Sequence, residues 1–300
     1  MSTRTVERLI ALIAKDHPAW VLDPRNRRVF LQEPTKTLQE WSNDTHPKDI
    51  VLALNDLSTW HLESFTASVF AGNRPSYEDL RLAAYYGNWE IRTAEVLVEV
   101  YPKNPPFILW SHVGECIAAP VLLDWRESTA SNLEILTGGL RTALIGGRPT
   151  DYLRHPWFLL HLLHDWQGRP LDIPAGTRVY PRDLGPYEEV LRNWKSPDPA
   201  MVERLVDIMA DFHVRESREP ERDIPEFEWQ SWWLIPFEIL AVLRLRQWLG
   251  LPNPESHRHP LMNQPLGRLP PSGPIPEDPL LTQVLRRFKE RFPALRFEEA

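Results

Sequence analysis

Thirty prolines interrupt this 300-residue chain, and their placement limits what it can fold into. A proline ring removes a backbone donor and clashes with the preceding turn, so it usually starts or stops a helix. Here the prolines fall mainly between apolar runs of helical period, while the alternating pattern of strands is weak throughout. A chain cut this way becomes a set of short packed helices. Hydrophobic residues at 42% and charged residues at 25% suffice for a core and exclude a globally disordered chain. The expected fold is all-α: a helical bundle or stacked helical hairpins, with a Pro-rich irregular C-terminal segment.

Residues 4–15 read as a first helix stopped by Pro18, and 20–45 as a loop with a short strand at Arg28–Leu31. A helix from Pro47 to Phe70 ends at Gly72. Ser76-Tyr-Glu-Asp79 has the form of a capping box. It opens a helix that stops at Gly87, after which Asn88 caps a second helix closed by Pro102. Residues 102–125 are ambiguous, with a buried helix of about three turns as one reading. Helices follow at 127–145 and 151–167, separated by Gly146, Gly147 and Pro149, then a loop over 168–182 and helices at 183–194 and 199–217. Pro236–Leu249 is apolar nearly all round, which marks a central helix. Residues 251–279 read as an irregular wrapping segment and 279–291 as a final amphipathic helix. An N-terminal helical subregion (1–75) and a larger helical domain (76–300) are expected to form one body.

The formal net charge of −7 and the lack of a basic cluster argue against nucleic acid as a partner. A single cysteine, Cys116, excludes an internal disulfide and reads as a buried, inert thiol. Thirteen tryptophans lie inside the apolar runs and should be core or groove-lining residues. The N-terminal run is broken by Glu7, Arg8 and Lys15 and lacks a signal-peptide core, and no uncharged apolar stretch spans a bilayer. The expectation is a cytoplasmic protein with no membrane contact.

Two patches carry candidate chemistry. His161, His164 and Asp165 share a short segment, and the i, i+3 imidazoles could hold a metal ion with a carboxylate as third ligand. The bland alternative, structural histidines in a Leu- and Trp-rich helix, is the favoured one, so no metal, cofactor or catalytic residue is expected. Cys116 lacks electropositive sequence neighbours, and no nucleophile elbow or phosphate-binding glycine loop is present. The second patch is an acidic band. From Glu188 to Glu228 there are twelve acidic residues against six basic ones. Glu203, Asp207 and Asp211 stand at i, i+4, i+8, and Glu216, Glu219, Glu221, Asp223, Glu226 and Glu228 follow. Like charges at that spacing destabilise a helix by about 0.2–0.5 kcal/mol per pair. The stripe is then either solvated surface or a docking face for a basic partner. Glu238 is the one acidic residue inside its apolar helix, and a buried carboxylate needs partners, so its expected role is structural.

The order of segments resembles a known family. A helix opens with Tyr187-Glu-Glu-Val-Leu191, and a Pro-bounded helix runs into an acidic stretch. Trp229-Gln-Ser-Trp-Trp233, Pro236-Phe-Glu-Ile-Leu-Ala-Val-Leu243, Trp248-Leu-Gly-Leu251 and His259-Pro-Leu-Met-Asn-Gln-Pro265 follow. Together with Leu82-Ala-Ala-Tyr-Tyr-Gly-Asn88, these resemble the immunity proteins that protect bacteria from polymorphic nuclease toxins. The resemblance implies a non-enzymatic protein that binds a cognate toxin effector of a contact-dependent or type VI secretion system and occludes its active site. The acidic residues above would then meet a basic groove. The alternatives are a helical metal-dependent hydrolase centred on His161, His164 and Asp165, and an adaptor or chaperone that loads an effector.

Overall fold

Aspartate followed by proline starts helices here. In the computed structural model, which describes residues 5–42, 45–71, 75–146, 153–174, 180–221 and 223–293, three helices begin this way. Asp23, Asp198 and Asp278 each accept from the amide two residues on, at 2.8, 2.9 and 2.8 Å. The proline between supplies a first-turn residue with no amide to satisfy.

The helices in chain order are α1 (Val6–Leu22), α2 (Pro24–Arg27), a π-helical turn (Arg28–Gln32), α3 (Glu33–Glu40), α4 (Lys48–Phe70) and α5 (Tyr77–Val100). Strand β1 (Ile108–Leu109) leads into α6 (Trp110–Leu122) and α7 (Arg126–Gly139), and β2 (Ile145–Gly146) pairs with β1 in parallel. Then come α8 (His155–Trp166), α9 (Tyr187–Asn193), α10 (Pro199–Glu216), a 3-10 turn (Gln230–Trp232), α11 (Phe237–Trp248), α12 (Pro260–Asn263) and α13 (Pro279–Arg291). The fold is all-α, with this minimal pairing the one small sheet among the described residues. No helix among the described residues is long and apolar enough to cross a membrane.

Several expected boundaries move. Pro18 lies inside α1. Val6, Leu9, Ile13 and His17 form one buried face of that helix, which packs on α4, and this burial outweighs the hydrogen bond that proline removes. Residues 20–45 are mostly helical rather than loop, because Asp23 and Pro24 restart the helix; the strand expected at Arg28–Leu31 is the π-helical turn. The two helices expected to meet at Gly87 and Asn88 are one, α5. Gly87 leaves room for the Ser58 hydroxyl of α4, and Asn88 is buried with its side-chain oxygen accepting from Asn132 Nδ2 at 2.7 Å, so it does not cap. Ser76 makes no side-chain cap. The helix expected over 127–145 ends at Gly139, where low-propensity glycines give way to a turn. Residue 4, the stop at Gly72, the punctuation at Gly147 and Pro149, the start at 151–152 and part of the 168–182 loop lie outside the described residues.

The helical hairpin of α4 and α5 is the spine. It is flanked by α1 and α3 on the α4 side and by α6 and α7 on the α5 side, and α6 in turn packs on α8 and α11. One contiguous cluster of buried apolar side chains runs from Val6 to Phe288. Trp41, Trp110, Trp157, Trp194 and Trp233 are among its largest fully buried members, each contributing on the order of 150–250 Å² of buried area.

The nine prolines of residues 251–279 offer carbonyls and no amides, so side chains elsewhere supply some of the donors. Arg244 donates to the carbonyls of Leu122 and Pro270 at 2.9 and 2.6 Å. Arg246, fully buried, donates to the Pro252 carbonyl, the Asn253 side chain and the Trp194 carbonyl. Trp125 Nε1 donates to the Gly273 carbonyl at 2.7 Å, and Tyr86 Oη to Asp278 at 2.7 Å. The segment is irregular in backbone and fixed in place.

Candidate functional site

Four parts of the chain, together with Phe30 of the π-helical turn, meet around a cavity of about 570 Å³. Asn55, Thr59, Leu62 and Glu63 stand at helical spacing on one face of α4. His17 and Trp20 come from α1, and His112 and Glu115 from α6. The segment from Glu219 to Trp232, which joins α10 to α11, closes the fourth side. The N-terminal subregion and the acidic band therefore build one site together.

Polar side chains inside it are paired across elements. Trp232 Nε1 donates to Glu115 Oε2 at 3.0 Å, and His17 Nδ1 lies 2.5 Å from Glu63 Oε2. Asn55 Nδ2 reaches Glu90 Oε1 and His112 Nδ1, both at 3.3 Å. Burial pushes the Glu115 carboxyl up to about 7, against the lowering effect of the Trp232 bond and with the help of Glu63. Burial likewise takes Glu90 to about 8, opposed by Asn55 and reinforced by Glu115 and Asp56. His112 is held down to about 4, again by burial, so its ring is neutral at pH 7. The aromatic lining falls in two groups: Trp20 packs on Phe30 at 5.1 Å between ring centroids, and His112 lies 5.9 Å from Trp229 and 6.2 Å from Trp232. Trp229, at the mouth, is 47% exposed.

The acidic band divides by environment. Glu203 is buried: His257 Nδ1 lies 2.8 Å from Oε2, and the Arg258 amide donates to Oε1 at 2.6 Å. It therefore leaves the solvent-facing stripe that its spacing suggests. Asp207 is half-buried, while Asp211 is 76% exposed with His259 Nε2 3.4 Å away. Glu226 is buried and receives the amides of Arg154 and His155 at the start of α8, together with the His155 ring at 3.1 Å. A carboxylate there satisfies amides that the helix itself leaves open. Glu216 faces Arg215, Asp223 accepts from Arg218 at 2.6 Å, and Glu219 accepts from Gln230 at 2.8 Å. Glu219, Glu221 and Asp223 are exposed, and Glu219 and Glu228 line the cavity.

Glu238 is fully buried against His213, Nδ1 to Oε1 2.9 Å, and His213 Nε2 faces the Trp232 carbonyl at 3.0 Å. That ring must donate through Nε2, so one proton is held between Nδ1 and the carboxylate.

His161, His164 and Asp165 each take a different partner, although His161 and Asp165 line one surface pocket. His161 Nε2 lies 3.2 Å from Tyr180 Oη and His164 Nε2 2.9 Å from Thr137 Oγ1, while Asp165 accepts from Trp194 Nε1 at 2.7 Å and pairs with Lys195 at 2.9 Å. No three His, Cys, Asp or Glu residues among those described converge as a metal site. Cys116 is buried, and burial pushes its thiol up.

Sequence reasoning did not single out His17, Glu63, Glu90, His112 or Glu115. The signal was available: Glu63, Glu90 and Glu115 interrupt apolar runs as Glu238 does. No protein-family model matches this chain, and no curated protein or solved structure is significantly similar to it.

Proposed function

We propose that this chain is an immunity protein that binds a toxin effector bearing a basic groove and neutralises it by occlusion. The observation that carries the reading is that the segment joining α10 to α11 exposes Glu219, Glu221 and Asp223 and also the indole of Trp229, with Glu219 and Trp229 lining the same cavity. An exposed indole is the kind of side chain that anchors binding hot spots. The negative field of those carboxylates steers a basic partner into contact. Trp229 lies between two fastened points, the pairs Glu226–His155 and Trp232–Glu115, so ordering its backbone costs association little. The nuclease identity of the toxin comes from the segment-order resemblance, and the cytoplasm is the address that role requires.

Co-expression with a toxin encoded beside this chain tests the reading. Growth should be restored, and a purified complex should form. Reversal of Glu219, Glu221 and Asp223 to Lys together should abolish rescue and slow association while leaving the circular dichroism spectrum unchanged. A complex that forms while the toxin stays active would instead make this chain an effector-loading adaptor. Cell death with no complex would refute the reading.

A further inference from the structure

The cavity combines two aromatic groups with hydrogen-bond acceptors. Trp20 and Phe30 form the first group, and Trp229 and Trp232 stand with His112 in the second. Phe30 belongs to the π-helical turn Arg28–Gln32. Such turns are rare, and they occur frequently at functional sites. Glu63 and Glu115 each engage a partner through Oε2, His17 for the first and Trp232 for the second. Among the described residues nothing bonds to Oε1 of either. Asn55 turns its amide nitrogen to Glu90 and His112, which leaves its carbonyl oxygen as a third acceptor.

That lining discriminates among ligand classes. A cation would find Glu63 already facing His17 and Glu115 already holding Trp232. An anion would meet the same two carboxylates. A purely apolar ligand would strip water from these polar groups and return no hydrogen bond. A neutral ring that carries hydroxyls fits each part of the lining. Its O–H groups donate to carboxylate and amide oxygens, and its slightly positive C–H bonds lie on the negative face of an indole. A pyranose whose hydroxyls are all equatorial is apolar on both faces, so one such ring can meet both aromatic groups. Burial raises the Glu115 carboxyl to about 7, which lessens the charge near neutral pH and suits an uncharged ligand. The volume of about 570 Å³ lies inside the range of small-ligand sites, roughly 300–1,000 Å³.

We propose that the cavity between α1, α4, α6 and the Glu219–Trp232 segment binds a neutral pyranose, with Trp229 stacked on its face and Glu63 and Glu115 accepting from its hydroxyls. The site goes beyond the toxin reading and does not depend on it, because a free glycoside can occupy it with no protein partner present.

Saturation-transfer NMR on the full chain tests it, with methyl β-D-glucopyranoside as the probe and the acyclic polyol D-glucitol as the control. Saturable binding of the glycoside is expected at about 1 mM or tighter. It should be at least about tenfold tighter than any binding of glucitol, which carries the hydroxyls without a flat face. Trp229→Ala should weaken glycoside binding about tenfold or more, and its exposed site leaves folding intact. Glu63→Gln, checked for folding by circular dichroism, should weaken it about threefold or more; if that variant does not fold, Trp229→Ala decides. No saturation by the glycoside, equal binding of glucitol, or full affinity in either folded variant would overturn the proposal. Failure of toxin rescue with glycoside binding retained would count against the immunity reading alone.

Discussion

Trp232 Nε1 donates to Glu115 Oε2 at 3.0 Å across 117 residues of sequence. This bond fastens the aromatic segment before α11 to the middle of α6 and so forms one wall of the acidic cavity. Because the acceptor is a carboxyl raised to about 7 by burial, the bond is strongest when Glu115 is ionised. Trp232→Phe keeps the ring and removes the donor. The variant should lose about 1.5–3 kcal/mol of stability at pH 8, the usual worth of a hydrogen bond to a charged group, and distinctly less at pH 6. Urea unfolding at both values measures it, and equal losses would mean that ring packing accounts for the effect.

Glu90 bears on stability itself. Burial holds its carboxyl at about 8 against an ordinary value of 4.5. Between those limits the folded chain binds a proton that the unfolded chain has given up, so stability falls as pH rises from about 4.5 to 8. Glu90→Gln removes that slope. The variant should match the parent near pH 4.5 and exceed it by at least about 1 kcal/mol at pH 9, the worth of a single pKa unit. Thermal unfolding across the range checks this, and a variant less stable at pH 9 would show that the Asn55–Glu90 contact outweighs the charge.

The buried pair of His213 and Glu238, 2.9 Å apart, lies where α10 meets α11. Glu238→Ala leaves a fully buried imidazole with one partner and should cost about 3–5 kcal/mol. The double variant with His213→Phe should recover part of that loss, because no orphaned polar group remains on either side. Denaturant melts of the four proteins in the cycle give the coupling, and strict additivity would show that the two side chains act independently.

These features were unequally legible in the sequence. The all-α class, the α10 and α11 limits and the final helix follow from proline placement and period, since those signals are local. The π-helical turn after α2 and the continuity of α5 through Gly87 are decided by packing against α4, which spacing along one helix does not encode. The acidic band is visible as composition, yet Glu203 and Glu226 are internal while Glu219, Glu221 and Asp223 are exposed. That division is set by residues far along the chain, His257 and His155. The cavity is less legible still. Its carboxylates come from α1, α4, α6 and the segment before α11, so only the tertiary fold places them together.

Arg246 shows how the irregular C-terminal segment is held, and it supplies a final test. Its guanidinium is fully buried and serves the Trp194 and Pro252 carbonyls and the Asn253 side chain. Asn253 Nδ2 returns a bond to the Leu243 carbonyl at 2.8 Å. The prolines at 252 and 254 supply no amide donors to this turn. Lysine offers a single charged head with no planar fork, so Arg246→Lys should leave at least one buried carbonyl unpaired, at about 1–3 kcal/mol. The loss should be local. Chymotrypsin should cut the variant first within 251–279, around Leu261 or Leu266, while the helical core before it stays intact. Cleavage scattered over the whole chain would mean that Arg246 supports the body of the protein rather than the segment wrapped on it.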